Sequence, residues 1–315
     1  MKEIGGYIEL DTYRGKMLHD KAIALNCGRN ALSYLIRSLK IKKILLPYFL
    51  CSSVINVCKR ENVEIRYYSI DEDFLPSDIQ MQKDAWLYVV NYYGQLSNQT
   101  LFELKQKFSN IIVDNAQAYF QMPVERVDTL YTCRKYFGVA DGAFLYTDST
   151  LDENISTDES FERMHFLLGR FERTASEFYG EYSANNHFFA NEPIKCMSKL
   201  TYNLLHGIDY DFVKACRTEN FAYLHEQFAD INQLKLSVPE GAFMYPLYIQ
   251  GGAEIRKKLQ TQKIYIPTLW SDVFDVCSND QLEYDMARNI LPLPVDQRYS
   301  AEDMKYLIEM LYDCK

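Results

Sequence analysis

Apolar residues in the first half of the chain fall into short continuous runs that alternate with stretches of helical spacing. The runs KKILLPYF (42–49), VEIRYYSID (63–71), AWLYVVNYYG (85–94), IIVDNAQAY (111–119) and VDTLYTC (127–133) are apolar and β-prone, and each predicts a strand. Between them, NALSYLIRSLK (30–40) places Ala31, Leu32, Leu35, Ile36 and Leu39 on one helical face. SSVINVCKREN (52–62) and QTLFELKQKFSN (99–110) read as further helices. Continuous apolar strands separated by helices predict a mainly parallel sheet covered on both faces. GAFLYT (142–147) predicts one more strand after a glycine-bearing turn.

The pattern changes after residue 149. Residues 149–220 are rich in charge and aromatics and read as mostly helical. Beyond about 210 the pattern is α+β: a helix over DFVKACRTENFAYLHEQFADI, strands at FMYPLYI and KIYIPTLW, and a last helix over AEDMKYLIEMLYD. The expected division is a large α/β domain over 1–205 and a smaller C-terminal α+β domain over 206–315.

Composition narrows the function. With 315 residues and 48% hydrophobic content the chain can bury a sizeable core. A net charge of -9 argues against general nucleic-acid binding, which needs a basic footprint. The eight cysteines form no CxxC pair and the five histidines no HxxxH pattern, so no metal site is expected. No apolar run approaches the roughly 18 residues of a membrane span, and the N-terminus lacks a signal-like apolar region. A soluble cytoplasmic protein with reduced thiols is the expectation.

Ligands of parallel sheets bind outside the carboxyl ends of the strands, so polar residues just after each apolar run matter most. Gly28, in NCGRNAL, precedes a helix whose N-terminus would suit a phosphate; the same residues read equally as a glycine turn with Asn30 as N-cap. Asp114 ends the run IIVD, where it is either a turn cap or the partner of a protonated ring nitrogen. Lys135 follows the run TLYTC. It is either an exposed loop charge or, partly desolvated beside Arg134, an amine able to form a Schiff base. Tyr48, Phe49, Tyr92 and Tyr93 stand near strand ends and could stack on a planar ring. A phosphate, a ring nitrogen that wants an acid and a carbonyl that wants a lysine together describe pyridoxal phosphate.

The ordered series CGRNAL, LLPYFLCSSVINVCKRENVEIRYYSID, VVNYYGQLSN, VDNAQAYF and RKYFGVADGAFLYTD resembles the DegT/DnrJ-type sugar aminotransferases over roughly residues 20–148. MSKLTYNLL and LPLPVDQRYSAEDM extend the likeness more loosely. The resemblance implies the type I aminotransferase fold, pyridoxal 5'-phosphate as cofactor and a homodimer. It implies amino transfer from glutamate to a keto group of a nucleotide-linked sugar, in surface polysaccharide biosynthesis. By position, Lys135 would carry the cofactor and shuttle the proton. Asp114 would face the ring nitrogen, and Gln117 would reach the phenolic oxygen or lie beside the cofactor. Gly28 and the backbone N–H groups of Arg29 and Asn30 would hold the phosphate, with Thr132 a further contact. Phe49 would supply ring stacking, and Tyr92, Arg134 and Arg298 would face substrate. Arg298 also reads, and on its own residues reads better, as an ion-pair partner of Asp296 or Glu302.

The departures from the family pattern are specific. Cys51 stands where the stacking aromatic is usual, and Leu130 where a serine precedes the lysine. The partner-subunit motif survives only as KCMS (195–198). No basic cluster marks a nucleotide site along the chain. Dehydration or decarboxylation on the same frame, or a non-catalytic binding protein, are the competing readings.

Overall fold

The computed structural model describes residues 4–314. The first half builds an eight-stranded sheet from β1 (Ile23–Leu25), β2 (Lys43–Pro47), β3 (Glu64–Ile70), β4 (Pro76–Ser77), β5 (Trp86–Val90), β6 (Ile111–Asp114), β7 (Asp128–Thr132) and β8 (Ala143–Tyr146). The spatial order is β1-β8-β7-β6-β5-β2-β3-β4. Strands β3, β2, β5, β6 and β7 run parallel, whereas β8 is antiparallel to both β7 and β1. Strand β1 therefore points the same way as β7, and the carboxyl ends of β1, β2, β5, β6 and β7 share one edge. The chain reverses its direction of winding between β2 and β5, and a crevice at that edge follows.

Helices α1 (Gly28–Ser38), α2 (Ser52–Arg60) and α3 (Asn98–Phe108) connect these strands. Their apolar stripes cover the sheet. Ala31, Leu32 and Leu35 of α1 are buried, and α1 packs over β7 and β8. Strand β6 is buried along its whole length, as a central parallel strand must be. The sequence places the start of the first helix near Asn30; it begins at Gly28, with Cys27 as the extended N-cap.

The remaining chain forms α4 (His165–Glu172), α5 (Tyr179–Phe188), α6 (Lys199–Leu205), α7 (Tyr210–Phe228), β9 (Met244–Tyr248), α8 (Gly252–Thr261), α9 (Val273–Val276), α10 (Leu282–Asn289), β10 (Ile290–Pro294) and α11 (Ala301–Cys314). A second core gathers Phe221, Leu224 and Phe228 of α7 against β9, β10, α8 and α11. The strand expected at KIYIPTLW is absent: residues 264–268 are irregular, and the partner of β9 is β10. Pro246 lies directly opposite Pro292 in that pair. Neither proline has an N–H to give, so they occupy a non-hydrogen-bonded pair and the ladder loses nothing. Proline-rich ILPLP hides its strand character from propensity for this reason.

One buried group carries a pH signature. His19 is wholly buried among Tyr119, Tyr131, Phe144 and Tyr146. Its Nε2 lies 2.8 Å from the Tyr119 carbonyl, so that nitrogen carries the hydrogen, and its Nδ1 is 3.1 Å from the Tyr146 hydroxyl. Burial lowers its pKa to about 4, against a partial rise from the Tyr119 carbonyl. The unfolded chain therefore binds one more proton than the folded chain between about pH 6.5 and pH 4. The stabilisation is complete above 6.5 and is lost as the pH falls to about 4. Urea unfolding across this window should show a loss of up to about 3 kcal/mol, which His19→Gln should flatten.

Candidate active site

A cavity of about 660 Å³ opens at the shared carboxyl edge of the sheet. The β1–α1 turn gives it Gly28 and Arg29, the β2–α2 turn Cys51 and Ser53, β5 Tyr88, and the end of β6 Asp114. The end of β7 adds Thr132, Arg134 and Lys135. Helices α4 and α5 add Arg170, Phe171, Tyr182 and Asn186, α7 adds Arg217, and the segment after β10 adds Asp296 and Arg298.

The turn bearing Lys135 is held from three sides. The Cys133 carbonyl accepts from the N–H groups of Tyr136 and Phe137, both at 2.9 Å, closing one tight turn. Gly142 returns the chain into β8 at φ +113, where a side chain would crowd Thr201 and Cys133 at 3.1–3.2 Å. Asp141, wholly buried, accepts from the Ser198 N–H at 2.8 Å, the Ser198 hydroxyl at 2.7 Å and the Thr201 hydroxyl, tying the turn to the start of α6. Arg217 holds the opposite side. It is 2% exposed and donates to the Tyr136 carbonyl at 3.2 Å, the Ala242 carbonyl at 2.9 Å and Gln297 Oε1 at 2.9 Å. Gln297 Nε2 donates to the same Tyr136 carbonyl at 3.0 Å. The Lys135 side chain itself is exposed, the loop-charge alternative of the two readings, and not partly desolvated. Its Nζ lies 5.4 Å from the centroid of the Phe243 ring.

Asp114 is 8% exposed and faces the cavity from the end of β6. Its Oδ1 accepts from the Ala116 N–H at 2.8 Å and its Oδ2 from the Tyr88 hydroxyl at 2.7 Å. Burial first, and the Asp114 charge second, raise the Tyr88 phenol far above its ordinary value, so it remains a donor. The β1–α1 turn approaches β7 closely: a Cβ on Gly28 would lie 4.0 Å from the Thr132 Cβ.

Cations that are scattered in sequence meet here. Arg29 donates to the Asn186 carbonyl at 2.9 Å and Arg134 to the Asn186 side-chain oxygen, so both guanidinium groups converge on α5. With Lys135, Arg170, Arg217 and Arg298 they surround a cavity whose lining carboxylates are Asp114 and Asp296. The basic cluster missed along the chain is thus made by the fold. Arg298 pairs with Asp296 through two bonds of 2.6 and 2.8 Å. Burial alone would push the Asp296 carboxyl up, but Arg298 holds it below its ordinary value.

Asn30, Tyr48, Phe49, Tyr92, Tyr93 and Gln117, all anticipated at the site, lie away from the cavity. Asn30 is wholly buried in the first turn of α1. Its amide donates to Asn26 Oδ1 at 3.0 Å and the Pro193 carbonyl at 2.7 Å, and its backbone N–H turns back to Cys27. Phe49 is fully buried, with its ring 4.4 Å from Trp270 and 5.3 Å from Tyr92. The Tyr92 hydroxyl donates to the Phe49 carbonyl at 2.5 Å. Gln117 Oε1 accepts from the Tyr93 N–H at 2.8 Å and braces the left-handed Tyr93. Tyr48 stacks on Tyr67 instead of on a ligand. Gly28, Arg29, Asp114, Thr132, Arg134, Lys135 and Arg298 do line the cavity together.

Sequence reasoning missed Tyr88 and Arg217. Tyr88 hides inside the apolar run WLYVV. Arg217 left a signal that was available: it sits on the buried stripe of α7 with Phe221, Leu224 and Phe228, where a charge has no packing reason to be.

No protein-family profile matches this chain, and no curated protein sequence matches it either. Solved structures do match in fold. DesV of S. venezuelae, crystallised with a ketimine intermediate, superposes with a TM-score of 0.67 at 16% identity, covering 93% of this chain and 84% of that one. PseC of Helicobacter pylori, an aminotransferase of pseudoaminic acid biosynthesis, gives 0.65 at 13% identity over 96% and 92%. NtdA of Bacillus subtilis, solved with bound PMP cofactor, gives 0.64 at 13% over 96% and 78%. This is the type I aminotransferase fold. In the type I fold of this chain, the cavity occupies the crevice at the strand ends and Lys135 stands on the turn between β7 and β8.

Phe49 and Tyr92 act as core here. Phe49→Ala should cost about 3–5 kcal/mol of stability and Tyr92→Phe about 1 kcal/mol, both read by urea unfolding.

Proposed function

We propose that this chain is a pyridoxal-phosphate-dependent aminotransferase that delivers an amino group, drawn from glutamate, to a keto group of a nucleotide-linked sugar for surface polysaccharide biosynthesis. The observation that carries the reading is the convergence of the Asp114 carboxylate, the Lys135 amine and the Gly28 turn on one cavity. The donor set fits the cofactor. Asp114 keeps lone pairs free beside its two bonds, Lys135 offers an exposed amine, and the start of α1 beside Arg29, Thr132 and Arg134 suits a phosphate.

When bound, the cofactor supplies an electron sink for the donor's α-carbon. Asp114 would accept the hydrogen bond of the ring nitrogen and so favour its protonated form. Lys135 Nζ is the amine that would hold the cofactor's aldehyde carbon, and when free it would hold and move a proton at the donor's α-carbon. The Arg217–Gln297 clamp on the Tyr136 carbonyl fixes the turn from which that amine works. Arg29, Arg134 and Arg170 exceed what one phosphate requires, Arg298 being already paired with Asp296. The surplus suits a second anionic group, such as a sugar diphosphate or the donor's carboxylate.

The remaining elements of the reading have lighter support. Leu168 and Phe171 of α4 are 63% and 92% exposed and Tyr182 of α5 46%, an apolar rim beside the cavity that a second copy would cover. Among the described residues no helix is long and apolar enough to cross a membrane, and all eight cysteines are free, in keeping with a cytoplasmic location. The proposed division into domains 1–205 and 206–315 draws support from the second core, whose residues all lie beyond 206.

Incubation with pyridoxal phosphate, borohydride reduction and mass spectrometry should place one adduct on Lys135. Lys135→Ala should abolish it while leaving the unfolding midpoint unchanged. Glutamate should then convert the visible absorbance to that of the pyridoxamine form. An adduct without that conversion would point to dehydration or decarboxylation, and no adduct would point to a binding protein.

A further inference from the structure

We infer that Tyr88 is a positioning residue whose hydroxyl fixes the Asp114 carboxylate in the orientation that receives the cofactor's ring nitrogen. This rests on the functional reading above and adds to it a residue hidden inside the apolar run WLYVV.

The argument begins with register. Strands β5 and β6 are parallel, with Tyr88 opposite Ile112 and Val90 opposite Asp114. Tyr88 thus stands two residues upstream of Asp114's own neighbour, on the same face of the sheet. A phenol is long enough to reach forward from there, and its oxygen ends 2.7 Å from Oδ2. Tyr88 is 1% exposed yet borders the cavity, so the bond is sheltered from water on the sheet side.

Packing does not account for the hydroxyl. Phenylalanine would fill the same space, and a buried hydroxyl is costly without a partner. The Tyr88 hydroxyl donates to Asp114, and the Tyr88 carbonyl accepts from the Tyr68 hydroxyl at 2.7 Å. The residue is therefore braced through its backbone and extended through its side chain toward one oxygen.

Asp114 needs such a brace. The terminal torsion of an aspartate is broad and roughly two-fold, so one hydrogen bond leaves the carboxylate free to pivot. The Ala116 N–H holds Oδ1 from the chain side, and the Tyr88 hydroxyl holds Oδ2 from the neighbouring strand. A carboxylate offers about four lone-pair directions, so two remain for a ring N–H. With Cys51 where a stacking aromatic is usual, orientation of the ring depends more heavily on this edge contact.

The test is a double-mutant cycle on the binding of pyridoxamine phosphate, which cannot bond covalently to Lys135 and so reports the non-covalent hold alone. Apo wild type, Tyr88→Phe, Asp114→Asn and the double variant are titrated by fluorescence quenching, with unfolding midpoints as a fold control. Tyr88→Phe should keep its fold and its borohydride adduct on Lys135 and bind about five- to ten-fold more weakly, the loss expected when the net contribution of one ordinary hydrogen bond is removed. In the Asp114→Asn background the same change should matter less than about two-fold, because its target is gone. Equal losses in both backgrounds would make Tyr88 merely structural and overturn the inference. So would an unchanged affinity for Tyr88→Phe. If wild type binds neither form of the cofactor, the functional reading falls first and takes this inference with it.

Discussion

The shared direction of β1, β2, β5, β6 and β7 is the constraint on which the site depends. A parallel strand delivers its carboxyl end to the same edge as its neighbours, so residues far apart in sequence are brought together without any loop reaching for another. The helix N-terminus at Gly28, the Asp114 carboxylate and the Lys135 turn each follow from one strand ending. Strand β8 is the exception that completes the arrangement. It runs back antiparallel to β7, and that reversal demands the tight turn on which Lys135 stands. Gly142 and Asp141 make the reversal possible, one by its backbone conformation and the other by anchoring the turn to α6.

Electrostatics follows from the same geometry. A chain of net charge -9 concentrates arginines from five separate segments around one cavity. Arg29 and Arg134 spend donors on Asn186, and Arg217 on backbone carbonyls and Gln297. Positive charge held by neutral acceptors is left uncompensated. Field lines in such a crevice focus on an anion entering from solvent.

The parallel half of the fold was legible because buried strands print as continuous apolar runs, and the residues just past them were legible for the same reason. Asp114, Lys135 and Gly28 could be found from position alone. Phe49, Tyr92 and Gln117 could not be sorted, because an aromatic or amide near a strand end looks the same whether it faces a ligand or a neighbour. The deciding facts are three-dimensional: Trp270 closes over Phe49, and the Tyr93 N–H claims Gln117. Strand β10 escaped because prolines mask strand propensity unless the register of the partner is known. Arg217 escaped although its place on an apolar stripe betrayed it, because its acceptors lie 25 residues and more along the chain.

Arg217 also joins regions that the chain keeps apart. Its helix enters the second core at Phe221, while its guanidinium reaches the carbonyl next to Lys135. Tilting that helix would draw Arg217 away from the Tyr136 carbonyl and from Gln297, the second donor to that carbonyl. The C-terminal packing and the turn that bears Lys135 are therefore tied through one side chain, so a substitution that shifts α7 would also shift the carbonyl beside Lys135.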